Sequence, residues 1–174
     1  MLKRFYPARM AESPYVIDYD GLYNEGYRGI IFDIDNTLVE HGADASERAI
    51  KLISMLRDKG FEICLISNNS KERVERFNKD INVDFIYNAN KPSSKSLIKA
   101  AGLMGTDIKN TVFIGDQIFT DVYGANRVGM LSCLVKPIGH DYQIQILIKR
   151  ALEKIVLWHY GRYLKRTKKG TAKG

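Results

Sequence analysis

The feature that most constrains this 174-residue chain is a regular alternation of short apolar runs with helix-like segments. Five short runs are apolar and bounded by turn residues, and the first of them is rich in β-branched residues, a pattern that predicts buried strands. Between them, apolar residues recur every three or four positions, as they do in amphipathic helices. The predicted strands cover residues 29–34, 61–67, 83–89, 111–116 and 130–136.

The segments between the strands carry the signals of helix ends. Asp44 is the candidate N-cap of the first main helix and Gly60 is its stop, whereas Asn69 and Ser70 are candidate N-caps of the second. Strands that alternate with helices form parallel sheets covered on both faces. We therefore predict one three-layer α/β domain whose parallel sheet has about five strands. The predicted helices cover 44–60, 70–80, 93–103 and 118–129, and a long last helix begins near Tyr142.

The most unusual polar residues of the chain come at the ends of the predicted strands. Asp33 and Asp35 close the first apolar run, and Asp116 closes the fourth. Ligands of parallel α/β sheets bind beyond the carboxyl ends of the strands, so we expect these carboxylates to share a crevice with Ser67 and Lys91. Clustered carboxylates repel one another unless a cation lies among them, and oxygen ligands of this kind suit Mg²⁺.

The same crevice is expected to hold the groups that phosphoryl transfer requires. Lys91 offsets negative charge, and Ser67, together with backbone amides at the start of a helix, is suited to binding phosphate oxygens. A carboxylate beside a metal ion and a phosphate can act as a nucleophile and form an aspartyl-phosphate. The residue pattern therefore indicates Mg²⁺-dependent phosphoryl transfer.

Four motifs resemble those of the haloacid dehalogenase (HAD) superfamily, in order and spacing. They are DIDNT (33–37), ISN (66–68), KP (91–92) and GDQIFTD (115–121). The resemblance covers roughly residues 29–137 and implies a Rossmann-like HAD core. HAD proteins insert cap domains between the first three motifs, but here the intervals hold only 34 and 24 residues. We therefore expect no cap domain and an open site, as in subclass III of the superfamily.

The resemblance implies roles for the three motif aspartates. Asp33 resembles the nucleophile that becomes phosphorylated, and Asp35 resembles the general acid that protonates the leaving oxygen and then activates water. Asp33, the backbone carbonyl of Asp35, and Asp116 resemble the ligands of Mg²⁺. An acid two residues after the nucleophile can both donate and accept the proton, so phosphomonoester hydrolysis is favoured over the activities of the family's dehalogenases, phosphonatases and pumping ATPases. A mutase remains an alternative, although the cap usual for mutases is not expected here.

Five further residues match supporting positions of the family. Ser67 and Asn68 resemble substrate-binding residues, and Lys91 resembles the lysine that holds the nucleophile and the phosphate in place. Asp121 resembles a residue that contacts the metal indirectly, through a ligand of the metal or through a water molecule. Thr37 is expected to shape the loop around Asp33 rather than to react.

Longer stretches are similar to the YqeG-type branch of subclass IIIA. They include RGIIFDIDNTLV, NANKPS, GDQIFTDVYGAN and LWHYGRYLK. This branch is similar to a mitochondrial phosphatidylglycerophosphate phosphatase of phospholipid biosynthesis, which implies that the substrate is a phosphate ester and favours that phospholipid. Two alternatives remain open: a soluble phosphatase of nucleotides, sugars or phosphoproteins, and a binding protein that uses a HAD scaffold and a basic tail.

The C-terminal segment carries the positive charge of the chain. The whole chain has a formal charge of +7, and residues 149–174 alone hold nine basic residues and one acid. Leu157, Tyr160 and Leu164 lie among these basic residues and suit an anionic membrane surface. RNA or protein partners and a solvated helix end remain alternatives, with nucleic acid less favoured. The apolar stripe expected to pack on the body is Ile144, Leu147, Ile148, Ala151, Leu152, Ile155 and Trp158.

We divide the chain into a capless hydrolase domain with a short N-terminal lead-in, 1–148, and the rest of the last helix with the basic tail, 149–174. Cys64 and Cys133 lie in apolar runs and are expected to be reduced core thiols. No apolar stretch approaches the length of a membrane span, and the first ten residues lack the apolar region of a signal peptide. We expect a cytoplasmic protein, with peripheral contact at the inner face of the membrane.

Overall fold

The computed structural model describes residues 2–139 and 144–171. For residues 144–146 and 168–171 it describes the backbone but not the side chains. Within these residues six strands form one parallel sheet. The strands are β1 (Arg9–Ala11), β2 (Gly29–Phe32), β3 (Glu62–Ile66), β4 (Asp84–Ile86), β5 (Thr111–Gly115) and β6 (Leu131–Val135).

Helices connect the strands. They are α1 (Tyr19–Asn24), α2 (Glu47–Asp58), α3 (Lys71–Asn78), α4 (Ser94–Leu103), α5 (Tyr123–Val128) and α6 (Ile144–Thr171). A π-helical turn, Ile118–Val122, leads into α5. Short 3₁₀ turns cover Leu2–Phe5, Pro14–Val16 and Ile108–Asn110.

The order of the strands is β1-β6-β5-β2-β3-β4, so β2 lies between β3 and β5, where the winding of the chain reverses. In open α/β sheets this reversal opens a crevice beyond the strand ends, and Asp33 directly follows β2. All five predicted strands are confirmed in type and place. The structure adds β1, a three-residue edge strand in the lead-in that is too short to leave a periodic signal.

Alternate residues of each strand face opposite layers, which confirms the three-layer prediction. Ile30 and Phe32 pack into the cluster that includes α1, α2 and α3, whereas Ile31 packs into the cluster with α4 and α5. Cys64 and Cys133 are buried free thiols in these two different clusters. No cap domain lies between β2 and β3 or between β3 and β4.

The N-cap of α2 differs from the prediction. The side chain of Ser46 accepts the backbone N–H of Ala49 and caps the helix, so the assignment of Asp44 was wrong. Asp44 instead pairs with Arg76 of α3 at 2.7 Å. Ser70 caps α3, as expected.

The predicted packing face of α6 was also wrong. Val156 is buried and Leu157 packs beside it, against Ile118, Val122 and Leu134. The expected stripe from Leu147 to Trp158 is exposed instead. The predicted helix start near Tyr142 and the side chain of Ile144 lie outside the described residues. None of the described helices combines the length and the apolar character that crossing a membrane requires.

Candidate active site

Asp33 is the centre of the site, at the carboxyl end of β2. Its backbone N–H donates to the carbonyl of Ile114 at 3.0 Å, and its side chain is almost fully buried. The buried Lys91 lies with its Nζ 2.6 Å from Asp33 Oδ1 and 2.9 Å from Asp121 Oδ1. One lysine therefore bridges two buried carboxylates.

Asp116 completes a cluster of three acids. Carboxylate oxygens of Asp33, Asp116 and Asp121 all lie within 4.8 Å of one another. Asp116 follows β5 and accepts a hydrogen bond from Thr37 Oγ1 at 3.2 Å, whereas Asp121 lies in the π-helical turn and accepts the N–H of Gln117 at 3.0 Å. The fold therefore brings together residues that are as many as 88 positions apart in the chain.

The electrostatics of this cluster show a shortage of positive charge. Burial raises the pKa of Asp33 well above its ordinary range, Asp121 and Asp116 raise it further, and Lys91 opposes the shift. Burial also raises the pKa of Asp116 to about 6, with Asp121 adding to the rise and Arg150 opposing it. Burial alone would lower the pKa of Lys91, but Asp121 and Asp33 outweigh it and the net shift is upward. Lys91 is therefore a permanent cation.

The side chain of Asp35 turns away from the acid cluster. Its Oδ2 accepts from Asn69 Nδ2 at 2.7 Å, and its Oδ1 accepts from Arg73 Nη2 at 3.0 Å and from the backbone N–H of Gly42 at 2.6 Å. Residues two apart share a face only in an extended strand, but β2 ends at Phe32. The sequence interpretation had grouped all three motif aspartates, whereas the structure replaces Asp35 with Asp121 in the cluster.

The second motif supports the loop that carries Lys91. Ser67 is buried just past β3, and its Oγ accepts the backbone N–H of Asn69 at 3.1 Å. The Oδ1 of Asn68 accepts the backbone N–H of Lys91 at 2.8 Å. In the structure Asn68 thus orients the third motif; that it binds substrate stays a prediction.

Two residues of α6 reach the site, and neither was predicted from the sequence. Arg150 binds the carboxylate of Asp116 through Nη2 and donates from Nη1 to the backbone oxygen of Asp116 at 2.6 Å. Glu153 accepts the N–H of Ile118 at 2.6 Å and pairs with Arg150 at 3.1 Å. The one sequence feature that could have identified Glu153 is that it is the single acid among the basic residues of 149–174. Arg73 is a further residue of the site that the sequence did not predict, because no local pattern distinguishes it from other helix arginines.

The donor set fits a divalent cation. Four carboxylates (Asp33, Asp116, Asp121 and Glu153) face two cations, Lys91 and Arg150, which formally leaves two negative charges among these described side chains. Oxygen-only ligands with few carboxylates are typical of Mg²⁺ sites. The three clustered aspartates are the residues placed to hold such an ion.

A cavity of about 460 Å³ opens beside Asp116, between the ends of β1 and β6 and the side of α6. Leu134, Val135, Pro137 and Leu157 give it mainly apolar walls. Lys136 and Lys154 also line it. A group attached to a phosphate in the site therefore has an apolar surface close at hand.

The comparisons with known proteins agree with this geometry. Two family models match, one described as haloacid dehalogenase-like hydrolase over residues 30–90 and the other as HAD-hydrolase-like over residues 88–139. The chain is also similar to a solved putative HAD family hydrolase from Streptomyces avermitilis MA-4680, with a TM-score of 0.51. That match covers 67% of this chain and 76% of the other at 13% identity, so it shows the fold alone.

Two curated relatives narrow the family. The chain is 34% identical over 159 residues to the "Probable phosphatase YqeG" of Bacillus subtilis (strain 168), covering 90% of this chain and 92% of the relative. It is 25% identical over 134 residues to "Phosphatidylglycerophosphate phosphatase 1, chloroplastic/mitochondrial" of Arabidopsis thaliana, covering 71% of this chain but 38% of that relative. The chain therefore belongs to the haloacid dehalogenase-like hydrolases, in the YqeG-type phosphatase branch of the superfamily.

Proposed function

We propose that the chain hydrolyses a phosphate monoester through an aspartyl-phosphate on Asp33, with Mg²⁺ as cofactor. The observation that carries the proposal is the buried Asp33 held by Lys91 inside a cluster of three acids. A carboxylate oxygen of Asp33 attacks phosphorus, and the bond to the ester oxygen breaks. Water then cleaves the aspartyl-phosphate, which returns the carboxylate and releases inorganic phosphate.

Charge compensation is the main task of the site in this reaction. The Lys91 ammonium lies against the nucleophile, and we propose that it also binds an equatorial phosphate oxygen. Asp33 and Asp116, with Asp121 close by, would hold the Mg²⁺, which when bound supplies a Lewis acid that neutralises phosphate charge. Ser67 lies at the end of the neighbouring strand β3, and we propose that its hydroxyl binds the phosphate.

Asp35 is the proposed proton donor and acceptor. In the structure its carboxylate accepts hydrogen bonds from Arg73 and Asn69, which hold it turned away from Asp33. The proposed mechanism therefore requires Asp35 to leave these partners and turn towards the ester oxygen. Its protonated form then gives the leaving alcohol its proton, and its ionised form later takes one from water.

Replacing the nucleophile tests this mechanism. We expect Asp33→Asn to lose turnover because an amide does not attack phosphorus, and to form no acid-stable phosphoenzyme from labelled substrate. The exposed Asp84, on β4 at the far edge of the sheet, provides the matched control Asp84→Asn, which should keep full activity. Near-normal turnover of Asp33→Asn with Mg²⁺ would remove Asp33 from this role.

For the substrate we propose phosphatidylglycerophosphate, in phospholipid biosynthesis, at the cytoplasmic face of the membrane. Three observations support this choice: the activity for which the Arabidopsis relative is named, the open site without a cap, and the apolar cavity beside Asp116. The basic C-terminal tail is the proposed membrane contact. The division of the chain into residues 1–148 and 149–174 also stays a proposal.

A substrate panel in Mg²⁺ tests this choice against soluble phosphatases of nucleotides, sugars or phosphoproteins. It compares phosphatidylglycerophosphate in detergent with representative esters of each class. We expect the phospholipid to give the highest kcat/KM. A higher kcat/KM for a water-soluble ester would contradict the lipid assignment while leaving the phosphatase mechanism intact.

A further inference from the structure

Helix α6 presents a stripe of large apolar side chains to solvent. The exposed fractions of these side chains lie between 49% and 58%. Their spacing of one, three or four residues places them on one face of the helix over about three turns. Soluble monomers rarely expose contiguous apolar patches of this kind unless something binds there. We define the α6 stripe as Leu147, Ile148, Leu152, Ile155 and Trp158.

Contacts on the opposite side of α6 fix the direction in which the stripe faces. Arg150 and Glu153 bond to Asp116 and Ile118, and Val156 packs into the body one turn later. Near the end of the helix, the rings of Tyr160 and Tyr163 lie 5.0 Å and 5.5 Å from that of Tyr6. Since these contacts run along most of α6, the stripe cannot turn inwards without breaking them.

The charges around the stripe identify its partner. Every exposed charged side chain of α6 between residues 147 and 167 is basic, and the one acid in that range, Glu153, is buried and paired with Arg150. A second copy of the helix would bring like charges together, and RNA offers no apolar surface for five large side chains. The exposed basic residues are Lys149, Lys154, Arg162, Lys165 and Arg166.

We propose that the α6 stripe lies on the surface of an anionic phospholipid bilayer, with its apolar side chains among the upper acyl chains and its basic residues at the headgroups. Apolar residues flanked by lysine and arginine are typical of helices that lie in the membrane interface. This contact differs from the one predicted from sequence, because Leu157 and Tyr160 pack against the protein body.

The stripe also lies close to the acid cluster. Leu147 and Ile148 precede Arg150 by less than one turn of helix, and Arg150 binds Asp116. A bilayer that holds the stripe therefore lies across one helix from Asp116, and we infer that a phosphate on a lipid headgroup reaches the site from this side. This link to a lipid substrate rests on the proposed function, whereas binding to the bilayer does not.

The single tryptophan of the chain reports on this contact directly. Trp158 belongs to the stripe, so its fluorescence monitors the stripe without interference from another indole. We expect vesicles of phosphatidylglycerol and phosphatidylcholine to bind the full chain, shift Trp158 emission to the blue and, with brominated acyl chains, quench it. Vesicles of phosphatidylcholine alone should bind much less, because each basic residue gains from anionic lipid.

A matched pair of double variants tests whether vesicle binding depends on the α6 stripe or on exposed apolar residues in general. Leu152→Ser with Ile155→Ser removes two stripe residues, and Ile98→Ser with Leu103→Ser removes two equally exposed apolar residues of α4. We expect the stripe variant to bind phosphatidylglycerol vesicles roughly tenfold or more weakly, from the apolar area lost, and the α4 variant to bind as the unmodified chain does. All four side chains are exposed, so neither variant should perturb the fold.

Three results would overturn the proposal. They are equal binding to both kinds of vesicle, Trp158 emission that does not change on anionic vesicles, and a dimer in solution that the stripe variant dissociates. Mg²⁺-dependent hydrolysis of p-nitrophenyl phosphate provides the separate test of the proposed function. If this activity is absent while anionic vesicles bind, the function fails and the docking surface stands.

Discussion

At the residue scale, the contact between Arg150 and Asp116 connects the acid cluster to the last helix. The guanidinium supplies positive charge to a buried carboxylate that would otherwise be held near Asp121 with little compensation. The same charge repels any cation that approaches Asp116, and Coulomb energies between close charges in proteins amount to a few kcal/mol. We therefore expect Arg150 to lower the affinity of the acid cluster for a cation.

Replacing Arg150 with Gln should strengthen Mg²⁺ binding, by roughly tenfold, because the amide can still donate to Asp116 but carries no charge. Isothermal titration at pH 8 measures the affinity, since Asp116, with a pKa of about 6, is then ionised. Arg162→Gln removes an exposed arginine of the same helix and should leave the affinity unchanged. Weaker binding by the Arg150 variant would show that Arg150 mainly orients Asp116.

At the element scale, the start of α2 shows how a cap is chosen among several candidates. Asp44 and Ser46 are both good N-cap residues by type, and both precede the same apolar pattern. Ser46 has extended backbone angles and bonds to the N–H of Ala49, whereas Asp44 lies two residues further out and bonds to Arg76. The position of the residue in the chain, rather than its type, therefore decides which side chain accepts the free N–H of the first helical turn.

We expect Ser46→Ala to lower the free energy of unfolding by about 1 kcal/mol, because one N–H of the first turn loses its partner. Asp44→Ala breaks an exposed ion pair and should cost less, about 0 to 1 kcal/mol. Urea unfolding of the two variants side by side gives the comparison. If Asp44→Ala lowered the free energy of unfolding more than Ser46→Ala does, Asp44 rather than Ser46 would be the N-cap of α2.

At the scale of the whole molecule, the acid cluster should make stability depend on pH and on Mg²⁺. Asp116 has a raised pKa in the folded, ion-free protein and an ordinary one in the unfolded chain, so the folded state binds more protons between the two values. Stability from this group is therefore fully present below about pH 4 and is lost as pH rises through about 6. Asp33 shifts in the same direction.

Relative to Asp116→Asn, the unmodified chain should lose roughly 2 kcal/mol of unfolding free energy between pH 4 and pH 7 in EDTA, since the pKa of Asp116 rises from an ordinary value of 3.8 to about 6 on folding. Added Mg²⁺ should restore much of this loss at pH 7 in the unmodified chain and little of it in the variant. Urea unfolding across this pH range measures both effects. Parallel pH curves for the two proteins would contradict the assignment.

The sequence by itself determined the features that depend on neighbours along the chain. Alternating and helical periodicities predicted five strands and the helices between them, and parallel winding placed the motif residues at one edge of the sheet. This placement sufficed to bring Asp33, Lys91 and Asp116 together. The carboxyl ends of neighbouring parallel strands lie at one edge of the sheet, and this does not depend on how the individual side chains pack.

The tertiary structure alone decided the direction of side chains and the rotation of helices. Asp35 turned to Arg73 because the chain bends after β2, and Asp121 took its place in the cluster. The apolar stripe of α6 faced outwards because Arg150 and Glu153 found partners in the body, and buried polar groups must be paired. Such contacts join residues far apart in the chain. They therefore produce no periodic pattern in the sequence, and the sequence alone does not predict them.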